Sequence, residues 1–159
     1  MAGALYAVPE LELDFGDGTY LFKLGLVQLA ELQTKCGAPL GEIISRILKG
    51  RYIAAAGDQP FGDIAFASFG VHDLHETVRL ALIGGNQGRV NGQAVKVDPL
   101  RARELTETYV IARPLREQWD IAAAIILACV EGYAPKDADP PKKAPVAKRA
   151  RSGSTSPRP

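Results

Sequence analysis

The chain has 159 residues, 47% of them hydrophobic and 23% charged, with a formal net charge of +1. That is ordinary composition for one globular domain, and a chain this long buries roughly two-thirds of its unfolded surface, so it needs neither a metal nor a disulfide to fold. The longest apolar run, Ile121 to Val130, is far short of the ~20 residues a bilayer needs, and no basic region followed by an apolar stretch opens the sequence, so the expectation is a protein neither secreted nor membrane-spanning.

Glu10 to Phe15 alternates strictly, with Leu11, Leu13 and Phe15 on one face and Glu10, Glu12 and Asp14 on the other, as in a half-buried strand. Gly16, Asp17 and Gly18 supply a turn, and Thr19 to Leu24 returns as a second strand carrying Tyr20, Phe22 and Leu24 on one side. A helix follows, with Leu26, Leu29, Ala30 and Gln33 spaced by threes and fours and Gly37 as its C-terminal cap. Pro39 opens a second helix whose apolar stripe is Leu40, Ile43, Ile44, Ile47 and Leu48, and Gly50 stops it. From Arg51 to Gly70 no period holds, and the expectation is irregular structure around three phenylalanines, Phe61, Phe66 and Phe69.

Asp73 followed three residues later by Glu76 reads as a capping box, and Leu74, Val78, Ala81 and Leu82 carry that helix to Gly84 and Gly85. Asn91-Gly92 between short apolar stretches predicts a small hairpin. Pro99 opens a helix through Leu100, Arg103, Leu105, Thr108 and Tyr109, and Pro114 opens the last one, which runs to Glu131 with Gly132 as cap. Between Asp120 and Glu131 every residue of that helix is apolar. Such a helix is either buried or in contact with another chain, and the core is the favoured reading for Ile125 and for Trp119, a subunit contact in a homo-oligomer the alternative. The fold class is therefore α+β, mainly α: an N-terminal β-hairpin followed by about five helices.

From Ala134 onward the composition changes. Lys136, Lys142, Lys143, Lys148, Arg149, Arg151 and Arg158 stand against Asp137 and Asp139, a net charge of +5, leaving residues 1–133 with 12 basic and 16 acidic residues and a net of −4. A segment of Pro, Lys, Ala and Ser whose largest apolar residue is Val146 cannot offset its ordering entropy by burial, so residues 134–159 are expected to form a disordered basic tail behind a domain of residues 1–133.

Catalytic patterns are scarce. His72 and His75 stand at i and i+3 with no third ligand, no cysteine pair and no HExxH around them, so no metal is expected. The Gly84, Gly85, Asn86, Gln87, Gly88 run follows a helix end instead of leading from a strand into a helix, where a phosphate loop would sit. Cys36 and Cys129 lie far apart in apolar patterns and read as reduced core thiols. Neither an enzyme nor a cofactor is expected.

The order of elements is itself informative: the Gly-Asp-Gly turn, Leu24-Gly25-Leu26 to Leu32, Val78 to Gly85, Val97-Asp98-Pro99 leading to Arg103-Glu104-Leu105, Tyr109-Val110, Arg113 to Glu117, and the Ala/Ile/Leu helix ending in Glu131-Gly132. Over Leu11 to Tyr133 this order resembles the gene transfer agent family of phage tail proteins. The longer Gly50 to Gly70 segment and the Gly88 to Val97 stretch depart from the family pattern.

The resemblance implies a tail assembly chaperone that binds the tape-measure protein, alongside other tail proteins, in the cytoplasm of a bacterial host and is absent from the mature particle. The tail tube component is the alternative it leaves open. A nucleic-acid binder acting through the basic tail comes third, because no aromatic residues interleave the tail's charges, so no specific nucleic acid is expected. Phe61, Phe66 and Phe69 are the candidate protein-binding surface, the alternative being that their rings plug the domain core, with Trp119 and Ile125 added if the last helix makes a contact.

Overall fold

A computed structural model describes residues 8–51 and 63–133. Strands β1 (Glu10–Phe15) and β2 (Gly18–Lys23) form the expected antiparallel hairpin, in register from Glu10↔Lys23 to Phe15↔Gly18. The two residues left between them demand a tight turn, and Gly16 takes it at φ +60°. The alternation does what it predicts: Leu11, Phe15, Tyr20, Phe22 and Leu24 are buried. Phe15 meets the rings of Phe22 and Tyr20 edge-on, with centroids 5.4 and 6.1 Å away.

Helices α1 (Leu26–Cys36) and α2 (Leu40–Leu48) follow, then a single 3₁₀ turn at Ile64–Phe66, and then α3 (Val71–Gly85). Strands β3 (Gly88–Val90) and β4 (Gln93–Val95) form the Asn-Gly hairpin, with Asn91 and Gly92 both at positive φ. Helix α4 (Pro99–Thr106) runs on into a π-helical turn at Glu107–Ile111, and α5 (Leu115–Glu131) closes the body. The α+β, mainly α architecture with a leading hairpin and five helices is the one expected.

The two hairpins are not separate. β3 pairs antiparallel with β2 at Thr19↔Arg89 and Tyr20↔Gly88, giving one four-stranded sheet in the order β1-β2-β3-β4. Helix α3 lies against β2, between the sheet and the other helices, and its Leu74, Val78, Leu80, Ala81 and Leu82 are fully buried. Its last two residues explain how it approaches so closely. A Cβ on Gly84 would stand 1.9 Å from the Lys23 carbonyl oxygen, and one on Gly85 1.9 Å from that of Leu21. The helix ends at these glycines, as the sequence suggests, and they also let its backbone rest on the strand; the left-handed cap is Asn86, at φ 51°.

Three expectations change. Asp73 is the third residue of α3, not its cap: the helix starts at Val71, and the Asp73 carboxylate accepts a 2.7 Å hydrogen bond from the N–H of Gly70 while pairing with Arg46 at 3.1 Å. In α1 the buried position is Leu32, whereas Leu26, Ala30 and Gln33 are exposed, because Leu24 already fills the core at the helix entrance and rotates the stripe. In α4 the inner face is Ala102, Leu105 and Thr106, and Leu100 is 65% exposed. At the other end of the body, Val8 and Tyr133 exchange both backbone hydrogen bonds, at 3.1 and 2.8 Å.

Candidate protein-binding surface

The residues singled out in the sequence separate into three environments. Trp119 and Ile125, on the inward face of α5, are 0% and 2% exposed. The Trp119 indole N–H donates to the Ile47 carbonyl at 2.6 Å, which fixes α5 on the end of α2 and satisfies the ring's one polar group. The Arg51 guanidinium lies 5.1 Å and that of Arg116 5.9 Å from the ring centroid, and Arg51 is also paired with Asp120. Phe69 is half-buried and tilted against Trp119 with ring centroids 5.4 Å apart. Both α5 residues are thus covered by their own chain.

Phe66 is the outward member of the set, 56% exposed on the 3₁₀ turn. That turn is built by Asp63, whose carboxylate accepts from the Ala65 N–H at 2.9 Å and whose own N–H donates to the Gly50 carbonyl at 2.9 Å. Gly50, at φ +85°, has no room for a side chain beneath the turn, since a Cβ there would be 2.9 Å from the Asp63 oxygen. Phe61 lies outside the described residues. The turn therefore presents Phe66 outward, whereas Phe69, three residues on, packs against Trp119.

Two neighbours that the sequence did not single out share the exposure: Ile64 is 37% and Val71 56% exposed. Three large apolar side chains within eight residues of chain, all facing water, are a surface that sequence patterning alone does not flag, because the segment has no period to be out of phase with. A second such place is the first turn of α1, where Leu26 and Val27 are 86% and 73% exposed.

The polar clusters are structural in geometry. His75 Nε2 lies 2.7 Å from Gln118 Oε1, and because the Gln118 amide nitrogen donates to the Arg113 carbonyl at 2.7 Å, it is the histidine that donates. His72 and His75 line a groove of about 430 Å³ between α1, α3 and α4, where Arg79 is held by Glu76 and Glu31. Among the described residues no group of His, Cys, Asp and Glu is arranged to hold a metal ion. Burial, reinforced by the Asp73 carboxylate, pushes the Cys36 thiol up to about 12, and burial alone raises Cys129, so both thiols are protonated at neutral pH and poor nucleophiles.

Residues 8–59 match a family model described as "Phage tail tube protein, GTA-gp10". No curated protein and no solved structure matches the chain. The matched stretch contains β1, β2, α1 and α2, and over it the chain is similar to that phage tail family.

Proposed function

We propose that this protein is a tail assembly chaperone that binds the tape-measure protein while a phage-like tail is built, acting by protein contact and not by catalysis. The match over residues 8–59 carries the tail assignment, and the exposed Ile64, Phe66 and Val71 supply the contact. A tape-measure chain is long and amphipathic, and until a tube encloses it its apolar stripes tend to self-associate. A small domain offering a few exposed apolar side chains around one aromatic anchor covers such stripes by helix-on-surface packing. No helix among the described residues is long and apolar enough to cross a membrane. The chaperone acts in the cytoplasm of the host cell and leaves before the particle matures.

A structural role in the tail tube is the second reading, favoured by the matching family being one of tail tube proteins and by the continuous four-stranded sheet. Co-expression separates the two. A chaperone moves tape-measure fragments from inclusion bodies into solution as a complex of many copies on one partner, and Ile64→Ser with Phe66→Ser, both at exposed positions, abolishes the effect without loss of fold. If the parent chain solubilises no fragment and is found by mass spectrometry in purified particles, the structural reading takes its place.

A further inference from the structure

Among the described residues Leu26 and Val27 are the two most exposed large apolar side chains, and they stand side by side on the first turn of α1. Val130 and Tyr133, at and just past the end of α5, are exposed close to them. Cys129, beside Val130, brings its Sγ to 3.9 Å from the carbonyl oxygen of Leu24, two residues before Leu26. Together they form an apolar step at one end of the body, and any apolar chain that reaches it gains by covering it.

The register of the first hairpin shows which part of the chain reaches it. Glu10 stands opposite Lys23, so two residues further out Val8 falls opposite Gly25, immediately before Leu26. Two backbone hydrogen bonds to Tyr133 hold Val8 there, so the stretch preceding it joins the body at the apolar step. That stretch, residues 1–7, lies outside the described residues and reads Met-Ala-Gly-Ala-Leu-Tyr-Ala, without a charged side chain. Tyr6 and Leu5 come two and three residues before Val8, within about 7 and 10 Å of it along the chain. The segment after Tyr133 leaves from the same place with the wrong chemistry, since from Ala134 to Pro145 it holds only Ala, Pro, Lys and Asp.

We infer that Leu5 and Tyr6 fold back over Leu26 and Val27 of their own chain, an N-terminal strap that closes the apolar step. The anchor at Val8 favours this occupant: closing a loop of a few residues costs little entropy, whereas a separate partner loses its translational and rotational freedom on binding. A tyrosine suits the seat, because its ring covers aliphatic side chains while its hydroxyl stays in water. Ile64, Phe66 and Val71 are left free, for Val71 adjoins His72, whose carbonyl meets Cys36 at the far end of α1. The strap therefore does not rest on the tape-measure reading.

Thermal melting of the full chain tests it as a double-mutant cycle. Leu26→Gln with Val27→Gln, which keeps good helix formers at both positions, is expected to lower the melting temperature by about 2–6 °C. Leu5→Ser with Tyr6→Ser, which alters no residue of the described body, lowers it by a similar amount, and all four substitutions together lower it no further. A dye that fluoresces on apolar surface, anilinonaphthalene sulfonate, brightens with the Leu5 and Tyr6 variant relative to the parent, and the rise disappears when Leu26 and Val27 are also replaced. An unchanged melting temperature for Leu26→Gln with Val27→Gln would mean that the step stands open to water, and strictly additive losses would mean that strap and step do not touch; either overturns the inference. So does a stabilisation that fades on dilution, which would assign the cover to another copy. None of these measurements involves tape-measure protein, so failure here is distinct from failure of the chaperone reading.

Discussion

Tyr20 is fully buried, and what its hydroxyl meets decides how the first turn is held. That hydroxyl donates to Asp17 at 2.5 Å, and the Arg101 guanidinium of α4 reaches the other carboxylate oxygen at 2.6 Å. The hydrogen bond from Tyr20, with the charge of Arg101 behind it, holds the Asp17 carboxyl below its ordinary range although partial burial acts the other way. A carboxyl lowered by folding contributes stability above its unfolded value near 4, and that contribution is lost as pH falls through the lower folded value. Asp17→Asn is therefore expected to lower the urea midpoint at pH 7 and to converge on the parent below about pH 4. An equal gap at pH 7 and pH 3 would mean that the carboxylate charge is not the cause. The Gly-Asp-Gly turn was legible in the sequence, but the clamp was not, because Arg101 comes 84 residues after Asp17.

At the scale of elements, α3 and β2 approach so closely that two glycines are needed to permit it. Gly84→Ala is expected to cost about 1–3 kcal/mol, since a methyl group 1.9 Å from the Lys23 carbonyl must push helix and strand apart. Gly41→Ala is the contrasting case: it sits in α2 with open space around it, and alanine there should stabilise by roughly 0.5–1 kcal/mol through helix propensity. Chemical denaturation of both variants beside the parent checks the pair. The start and stop signals Pro39, Pro99, Pro114, Gly37 and Gly132 all read correctly because they act on their own few residues of backbone. Gly84 and Gly85 were legible as the helix end, but their packing role was not, for the opposite reason: it lies on a strand far earlier in the chain. The phase of α1 escaped similarly, since only the packed core reveals that Leu32, and not Leu26, faces inward.

For the whole molecule, α5 holds sheet and helices together, and Ile125 lies at 2% exposure on its inner face. Ile125→Asp should unfold the body or lower its stability by about 3–5 kcal/mol, the cost of an uncompensated buried charge, with circular dichroism melting as the readout. Unchanged stability would place Ile125 outside the core. The wholly apolar run identified this helix in the sequence, yet it could not say which residues face water; Val130 is 49% exposed while Ile126 is buried. The candidate surface was legible only in part, with Phe66 exposed as a contact residue must be, Phe69 packed on Trp119, and Ile64 and Val71 revealed by the fold alone. The pair of hydrogen bonds joining Val8 to Tyr133 carries a topological consequence. A string whose ends touch is nearly a loop, and where such a loop is cut is a matter of genetic convention more than of physics. Opening the body between Asn91 and Gly92, at an exposed turn, and joining Tyr133 to Val8 through a few residues would write the same packed object in a different order.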